Sequence, residues 1–365
     1  MNIYKLLMHS PSEGDISMTL KREEALSVPI RDIDLKNVKS VSDLVEQFRE
    51  ASIQARNLGT AAEIFEKMLT DEKRPVIFLG LASPLIAAGL RKVIRDMIAE
   101  NLVDVVVSTG AILYQDIYRA RGYKHYRGDP SADDLVLRDY FIDRIYDTYV
   151  DEEKFRETDR YIAELTDELE ERPHSTREYL AFIGSRLEDP ESILRTAWET
   201  STPLFCPAIA DSSIGIGLTY RYGKKRERGG GGFILDTIRD TYEITMIKVK
   251  SSRSGAVYVG GGVPKNYIND IVVAAELMGY DPGGHYWALQ ITQDSPHWGG
   301  LSGSTLKEAQ SWGKIHAEAT KVQVFVEASI GLPLLVAYAL ERGLGERRKR
   351  LEIKWDGDEP ILNYL

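Results

Sequence analysis

The stretch Glu308-Ala309-Gln310-Ser311-Trp312-Gly313-Lys314-Ile315 holds a lysine flanked by a tryptophan and a glycine in an otherwise apolar part of the chain. A lysine amine is a nucleophile only when neutral, and desolvation favours the neutral form. Once neutral, it can form an imine with a carbonyl or imine substrate. Most lysines are solvated surface residues, so the residue type alone does not make Lys314 a nucleophile. A second candidate is Gly260-Gly261-Gly262, which follows the apolar run Ala256-Val257-Tyr258-Val259 and precedes Pro264. Glycines between a strand and a helix let the backbone approach a pyrophosphate, and they equally make a tight turn. No GxGxxG fingerprint accompanies them. The six histidines show no metal-ligand spacing, and neither a G-x-S-x-G elbow nor a Walker A motif is present, so metal and serine hydrolase chemistry is not expected. Cys206 lies in an apolar run and reads as core.

The elements that must position these residues follow an alternating pattern. Ser42 to about Leu69 has helical spacing. Pro75–Gly80 and Val103–Ser108 read as buried strands, each followed by a helix, the first over about Pro84–Asn101. Residues 120–200 are charged and predicted to be mostly helical, with a capping box at Ser175-Thr176-Arg177-Glu178. Strands return at Pro203–Ile209, Ala256–Val259, Tyr286–Thr292 and Val322–Val326. Lys224–Arg228, before a run of glycines, reads as a surface loop. Thr305–Ile315 and Leu332–Arg342 read as helices. This alternation predicts an α/β fold: a doubly wound, mostly parallel, Rossmann-like sheet with a helical insertion over about 120–200. Residues 1–40 read as an N-terminal extension and 41–365 as a single domain. In such a sheet ligands bind beyond the carboxyl ends of the strands, here the loops Gly80–Pro84, Ser108–Ala111, Asp211–Gly217 and Gly260–Lys265.

Composition narrows the class. The chain has 365 residues, 43% of them hydrophobic and 28% charged, as in a soluble globular protein. The net charge of -10 argues against nucleic acid as the main partner. A single cysteine excludes a disulfide framework within one chain and fits a reducing compartment. The opening MNIYKLLMHS lacks a signal peptide's apolar core, and no apolar run is long enough to span a bilayer. The expectation is a cytoplasmic protein without membrane or nucleic-acid contacts.

Several segments together resemble the deoxyhypusine synthase family. They are RNLGTAAEI at Arg56–Ile64, FLGLASPLIAAGLRKVI at Phe78–Ile94, VDVVVSTGA at Val103–Ala111, PLFCPAIADSSIGIG at Pro203–Gly217, GGGVPKNYI at Gly260–Ile268, EAQSWGKI at Glu308–Ile315 and VEASIGLPLLVAYAL at Val326–Leu340. The resemblance implies an NAD-dependent aminobutyl transfer. NAD takes a hydride from spermidine, a lysine holds the aminobutyl group as an imine, 1,3-diaminopropane leaves, and an acceptor amine receives the group before reduction. It places that lysine at Lys314 and polyamine contacts at Glu308 and Trp312, a carboxylate and an indole face suited to an alkylammonium. It places NAD contacts at Ser83, Thr109, Asp211, Gly260, Gly261, Gly262, Thr292 and Glu327. It also implies a homotetramer with sites shared across a dimer interface.

The departures bear on substrate. The family's catalytic histidine falls on Asn266, which can orient an amine but cannot take its proton near neutral pH. Acidic polyamine-binding positions fall on Ile216 and near Leu301. An acidic NAD-contacting position falls on Gln115, an asparagine on Pro84, and Glu327 stands where aspartate is usual. Asp294, His297 or Trp298, in the altered loop Asp294–Ser304, could supply replacement contacts. The resemblance with these departures places the chain nearer the deoxyhypusine-synthase-like branch than the authentic enzyme. Its acceptor is a protein lysine or a free diamine, as in homospermidine synthase. Two other readings stay open: a catalytically lapsed NAD-binding scaffold, and an amine dehydrogenase that releases NADH.

Overall fold

Six short runs rich in Val, Ile, Leu and Phe build the central sheet: β1 (Val76–Leu81), β2 (Val105–Ser108), β3 (Leu204–Phe205), β4 (Ser254–Val259), β5 (His285–Thr292) and β6 (Ile315–Phe325). The computed structural model describes residues 22–230 and 232–365, so most of the expected N-terminal extension lies outside the described residues. Every residue of β1, β2 and β4 is buried, as strands covered on both faces require. All pairings within the sheet are parallel. The order is β6-β5-β4-β1-β2-β3. This is the doubly wound order, with its switch point between β1 and β4. Side chains alternate across it. Ile77, Leu79 and Leu81 pack with Phe65 and Ile94 on one face. Val76 and Phe78 pack with Ile244, Ile268 and Ile271 on the other.

Several elements differ from the sequence reading. The first helical stretch is two helices, Val41–Glu50 and Ile53–Thr70, broken where Ile53 takes φ 58. The helix after β1 begins only at Arg91, which leaves residues 82–90 to cross the strand ends. Thr305–Ile315 is not a helix. It contains one 3-10 turn, Glu308–Trp312, and Ile315 already belongs to β6. Lys224–Arg228 is not a loop, because the helix Ser213–Glu227 runs through it. The capping box at Ser175 and Glu178 is present.

The region 120–200 contains the expected helices Glu152–Thr166, Thr176–Arg186 and Ile193–Glu199. It also contains a small antiparallel sheet of Tyr126–Arg127, Thr148–Asp151 and Ile142–Ile145. These strands are short and half polar, so they carry no apolar run that would announce them. Buried charges tie this region to two helices that flank the sheet, Arg91–Ala99 and Gly110–Ala120. Arg91 Nε donates to Asp116 Oδ1 at 2.6 Å and Arg91 Nη1 to Asp189 Oδ2 at 2.7 Å, while Asp116 Oδ2 accepts from Ser192 Oγ at 2.7 Å. A C-terminal hairpin, Leu351–Asp356 and Glu359–Tyr364, closes the chain and buries Leu351 and Ile353 in the second core. Among the described residues no helix is long and apolar enough to cross a membrane.

Candidate active site

A cavity of about 1100 Å³ opens at the switch point. Its floor is the turn after β1 (Ala82, Ser83, Pro84) and the turn after β4 (Gly260–Gly262). The two turns touch. A Cβ on Gly260 would come within 2.9 Å of Ser83 Oγ, and one on Gly261 within 2.6 Å of Ser302 Cα. Gly260 and Gly262 take φ 73 and 58, and Ser83 takes φ 82, a conformation that an L side chain rarely adopts. Thr292 and Asp294 line one wall, and Glu327 another. Glu327 also caps the helix Ala328–Glu341, accepting from Ser329 N at 2.7 Å.

The turn is held from below by a buried polar network. Gln290 Nε2 donates to Gly260 O at 2.8 Å and to Ser302 O at 3.0 Å. Its Oε1 accepts from Lys265 Nζ at 3.0 Å and from Gln323 Nε2 at 2.8 Å. Lys265 Nζ also donates to Ser304 O at 2.6 Å. Lys265 is buried with no carboxylate in contact, and that burial lowers its pKa to about 8. Ser302 Oγ accepts from Gly262 N at 2.9 Å, which satisfies one open donor at the start of the helix Gly262–Leu277.

The roof comes from the small antiparallel sheet, through His125–Gly128 and Ile145–Thr148. His125 Nε2 lies 3.2 Å from Gln115 Oε1. Burial lowers the His125 pKa to about 4, so its ring is neutral at pH 7. Nothing in the local sequence marks these residues as part of a site, because their place depends on how the inserted sheet folds back.

Lys314 lies outside the cavity lining, just before the amino end of β6. The helix Gly262–Leu277 connects the two. Its first residue lines the cavity, and Asn266 and Asp270 follow at about 6 and 12 Å along the axis at 1.5 Å per residue. Lys314 Nζ lies 2.7 Å from Asp270 Oδ1. Asn266 Nδ2 donates to Asp270 Oδ2 at 2.7 Å. The lysine therefore has a carboxylate partner that its own stretch of sequence does not contain. Its ammonium stands 5.3 Å from the Trp312 ring centroid. The fold thus joins Asn266 and Lys314 through Asp270, which the sequence reading missed, with Trp312 beside the lysine. The signal was present, since positions 266 and 270 share a helix face.

Not every expected residue joins them. Glu308 lies in the same turn as Trp312, and its carboxylate accepts from Thr305 N at 3.3 Å. Leu301 is exposed beside Ser302. His297 and Trp298 are exposed and do not line the cavity, whereas Asp294 does. Thr109 and Asp211 stand at the carboxyl ends of β2 and β3, outside the lining. Ile216 lies far from them. It is exposed on the helix after β3, one edge of the sheet, while Lys314 adjoins β6, the other edge. At about 4.8 Å per strand spacing those edges are roughly 24 Å apart. Within one chain Ile216 does not line a pocket with Lys314.

The chain is similar to known proteins along most of its length. Residues 43–339 match the family model described as deoxyhypusine synthase. A Methanosarcina acetivorans protein named "Probable deoxyhypusine synthase 2" is 45% identical over 340 residues, covering 91% of this chain and 96% of its own. A "Deoxyhypusine synthase-like protein" of Elusimicrobium minutum is 41% identical over 326 residues, covering 88% and 86%. The crystal structure of "a putative deoxyhypusine synthase" from Entamoeba histolytica shares the fold, with a TM-score of 0.59 at 22% identity over 86% of this chain and 97% of that one.

Proposed function

The chain belongs to the deoxyhypusine synthase family, and from that premise we propose that it is an NAD-dependent aminobutyl transferase that works on a polyamine such as spermidine through an imine on Lys314. The observation that carries this reading is the placement of Lys314. It sits with Asp270 and Trp312 beside the helix whose first turn lines the switch-point cavity. Support for NAD in that cavity comes from its position, its size and its floor. Gly260, Gly261 and Gly262 line it without side chains, and a Cβ on Gly262 would meet nothing nearer than Ser302 Oγ at 3.8 Å, so bare backbone faces the space that a pyrophosphate would take. Ser83, Thr292 and Glu327 present hydroxyl and carboxylate groups to the same space. When bound, NAD supplies the hydride acceptor and later the hydride donor.

The protein's own groups carry the transfer. Lys314 holds the aminobutyl fragment while the acceptor replaces the departing diamine. Trp312 offers its ring face to an alkylammonium, and Glu308 a carboxylate. The roughly 24 Å between the sheet edges supports the family's arrangement in which a second copy completes each site, because one chain alone does not bring Ile216 to its own Lys314. The acceptor is a free diamine or a protein lysine, and both fit the same Lys314 chemistry.

Incubation with NAD and spermidine followed by borohydride is expected to leave an aminobutyl adduct on Lys314, seen by peptide mass spectrometry and absent in Lys314→Ala. Product analysis with added putrescine then separates the acceptors: homospermidine marks the diamine. No adduct with any of a panel of polyamines, despite NAD binding, would sink the transferase reading in favour of a binding-only protein. Stoichiometric NADH accumulation would instead identify an amine dehydrogenase.

A further inference from the structure

We infer that Asp270 is the proton-transferring group of the Lys314 step, filling the place that Asn266 cannot. The inference rests on the reading of Lys314 as the imine-forming lysine. Asp270 makes the one ion pair recorded for Lys314 among the described residues, at 2.7 Å. Its two oxygens are divided between two tasks. Oδ2 accepts the Asn266 amide at 2.7 Å, and Oδ1 faces the lysine nitrogen. The amide thus fixes the carboxylate plane and leaves one oxygen for proton exchange. Both residues lie on one face of the helix Gly262–Leu277, anchored at its start by the Ser302 and Gln290 contacts. Other groups nearby are less suited. Glu308 has one oxygen on Thr305 N and makes no ion pair with Lys314 among the described residues. Lys265 donates to Gln290 and Ser304. Glu276, further along the helix, faces Gly313.

The chemistry balances without an external reagent. A Lys314 ammonium and a protonated polyamine imine become a protonated Lys314 imine and a departing ammonium. The bond from Nζ to the imine carbon forms, and the bond from that carbon to the departing nitrogen breaks. Nζ goes from three protons to one, and the departing nitrogen from one to three. Two protons therefore cross between the nitrogens. Each passes through Asp270 Oδ1, and the carboxylate ends as it began. Nothing is oxidised or reduced in this step.

The test separates this role from the wider function by using a plain aldehyde. Butanal with cyanoborohydride traps imines on lysines without NAD, and peptide mass spectrometry reads the rate at Lys314 against exposed Lys354. In Asp270→Asn the Lys314 rate is expected to fall about 10²-fold, the usual scale of a positioned acid–base group, while Lys354 is unchanged. In Asp270→Ala, added acetate is expected to restore it in proportion to its concentration, which a purely structural contact would not allow. An unchanged or faster rate at Lys314 in Asp270→Asn, in protein that retains its circular dichroism spectrum, overturns the inference. So does a loss in Asp270→Ala that acetate leaves untouched. The spermidine and NAD experiment on the unaltered chain judges the transferase reading separately, so either idea can fail while the other stands.

Discussion

Two lysines near the cavity have opposite surroundings, and their contrast separates chemistry from support. Lys314 has a carboxylate at 2.7 Å and an indole beside it. Lys265 has only neutral acceptors, and burial lowers its pKa to about 8. Lys265 binds the Ser304 backbone to Gln290, which in turn holds Gly260 and Ser302. In Lys265→Met, Gln290 Oε1 keeps the Gln323 amide while Ser304 O loses its closest donor, a penalty of about 1–3 kcal/mol. Weaker NAD binding, by about tenfold, is expected in calorimetry, with butanal trapping at Lys314 unaffected. The pH dependence follows from the sign of the shift. A folded-state pKa below the unfolded value of about 10.4 gives a contribution fully present above that pH and lost as pH falls through about 8. The wild-type melting temperature, relative to Lys265→Met, is therefore expected to decline between pH 10 and pH 7.5. A flat difference would contradict the burial argument.

At the scale of elements, the helix Gly262–Leu277 does two jobs. Its first turn lines the cavity, and its second and third turns carry Asn266 and Asp270 to Lys314. A displacement of its start is thus felt at both ends. Gly261→Ala introduces a methyl 2.6 Å from Ser302 Cα, a backbone neighbour that cannot rotate away. We expect at least about tenfold weaker NAD binding and slower spermidine-dependent trapping, because near-attack geometry is sensitive to shifts of about 1 Å. Equal affinity, measured by equilibrium dialysis, would show that the turn does not carry the cofactor. The inserted sheet forms the cavity roof through His125–Gly128 and Ile145–Thr148. It meets the rest of the molecule where His125 Nε2 lies 3.2 Å from Gln115 Oε1 and where Thr148 Oγ1 donates to Ala87 O at 3.5 Å.

For the whole molecule, the sheet order places Lys314 and Ile216 at opposite edges. A site that uses both must join two copies. Lys314→Ala and Asp211→Ala, each inactive when pure, are expected to regain turnover when the two are co-expressed or unfolded and refolded together, since mixed pairs hold some sites with both native residues. A mixture as inactive as its parts would place every contributing residue in one chain.

The sequence by itself determined most of the strand and helix alternation and the glycine turn, whereas the lysine segment read as a helix and folds as a short 3-10 turn. These depend on local features: apolar runs of strand length, helical spacing, and turn residues within a few positions of one another. Tertiary structure decided which of these pieces meet. Asp270 lies 44 positions before Lys314 in the chain, and only the packing of the helix against the start of β6 joins them. The Lys265–Gln290–Gly260 support and the roof from the inserted sheet likewise depend on contacts between distant segments. Ile216 shows the same point in reverse. Its motif was readable, but its distance from Lys314 follows from the order of six strands, which the burial of the whole sheet sets and no local stretch contains.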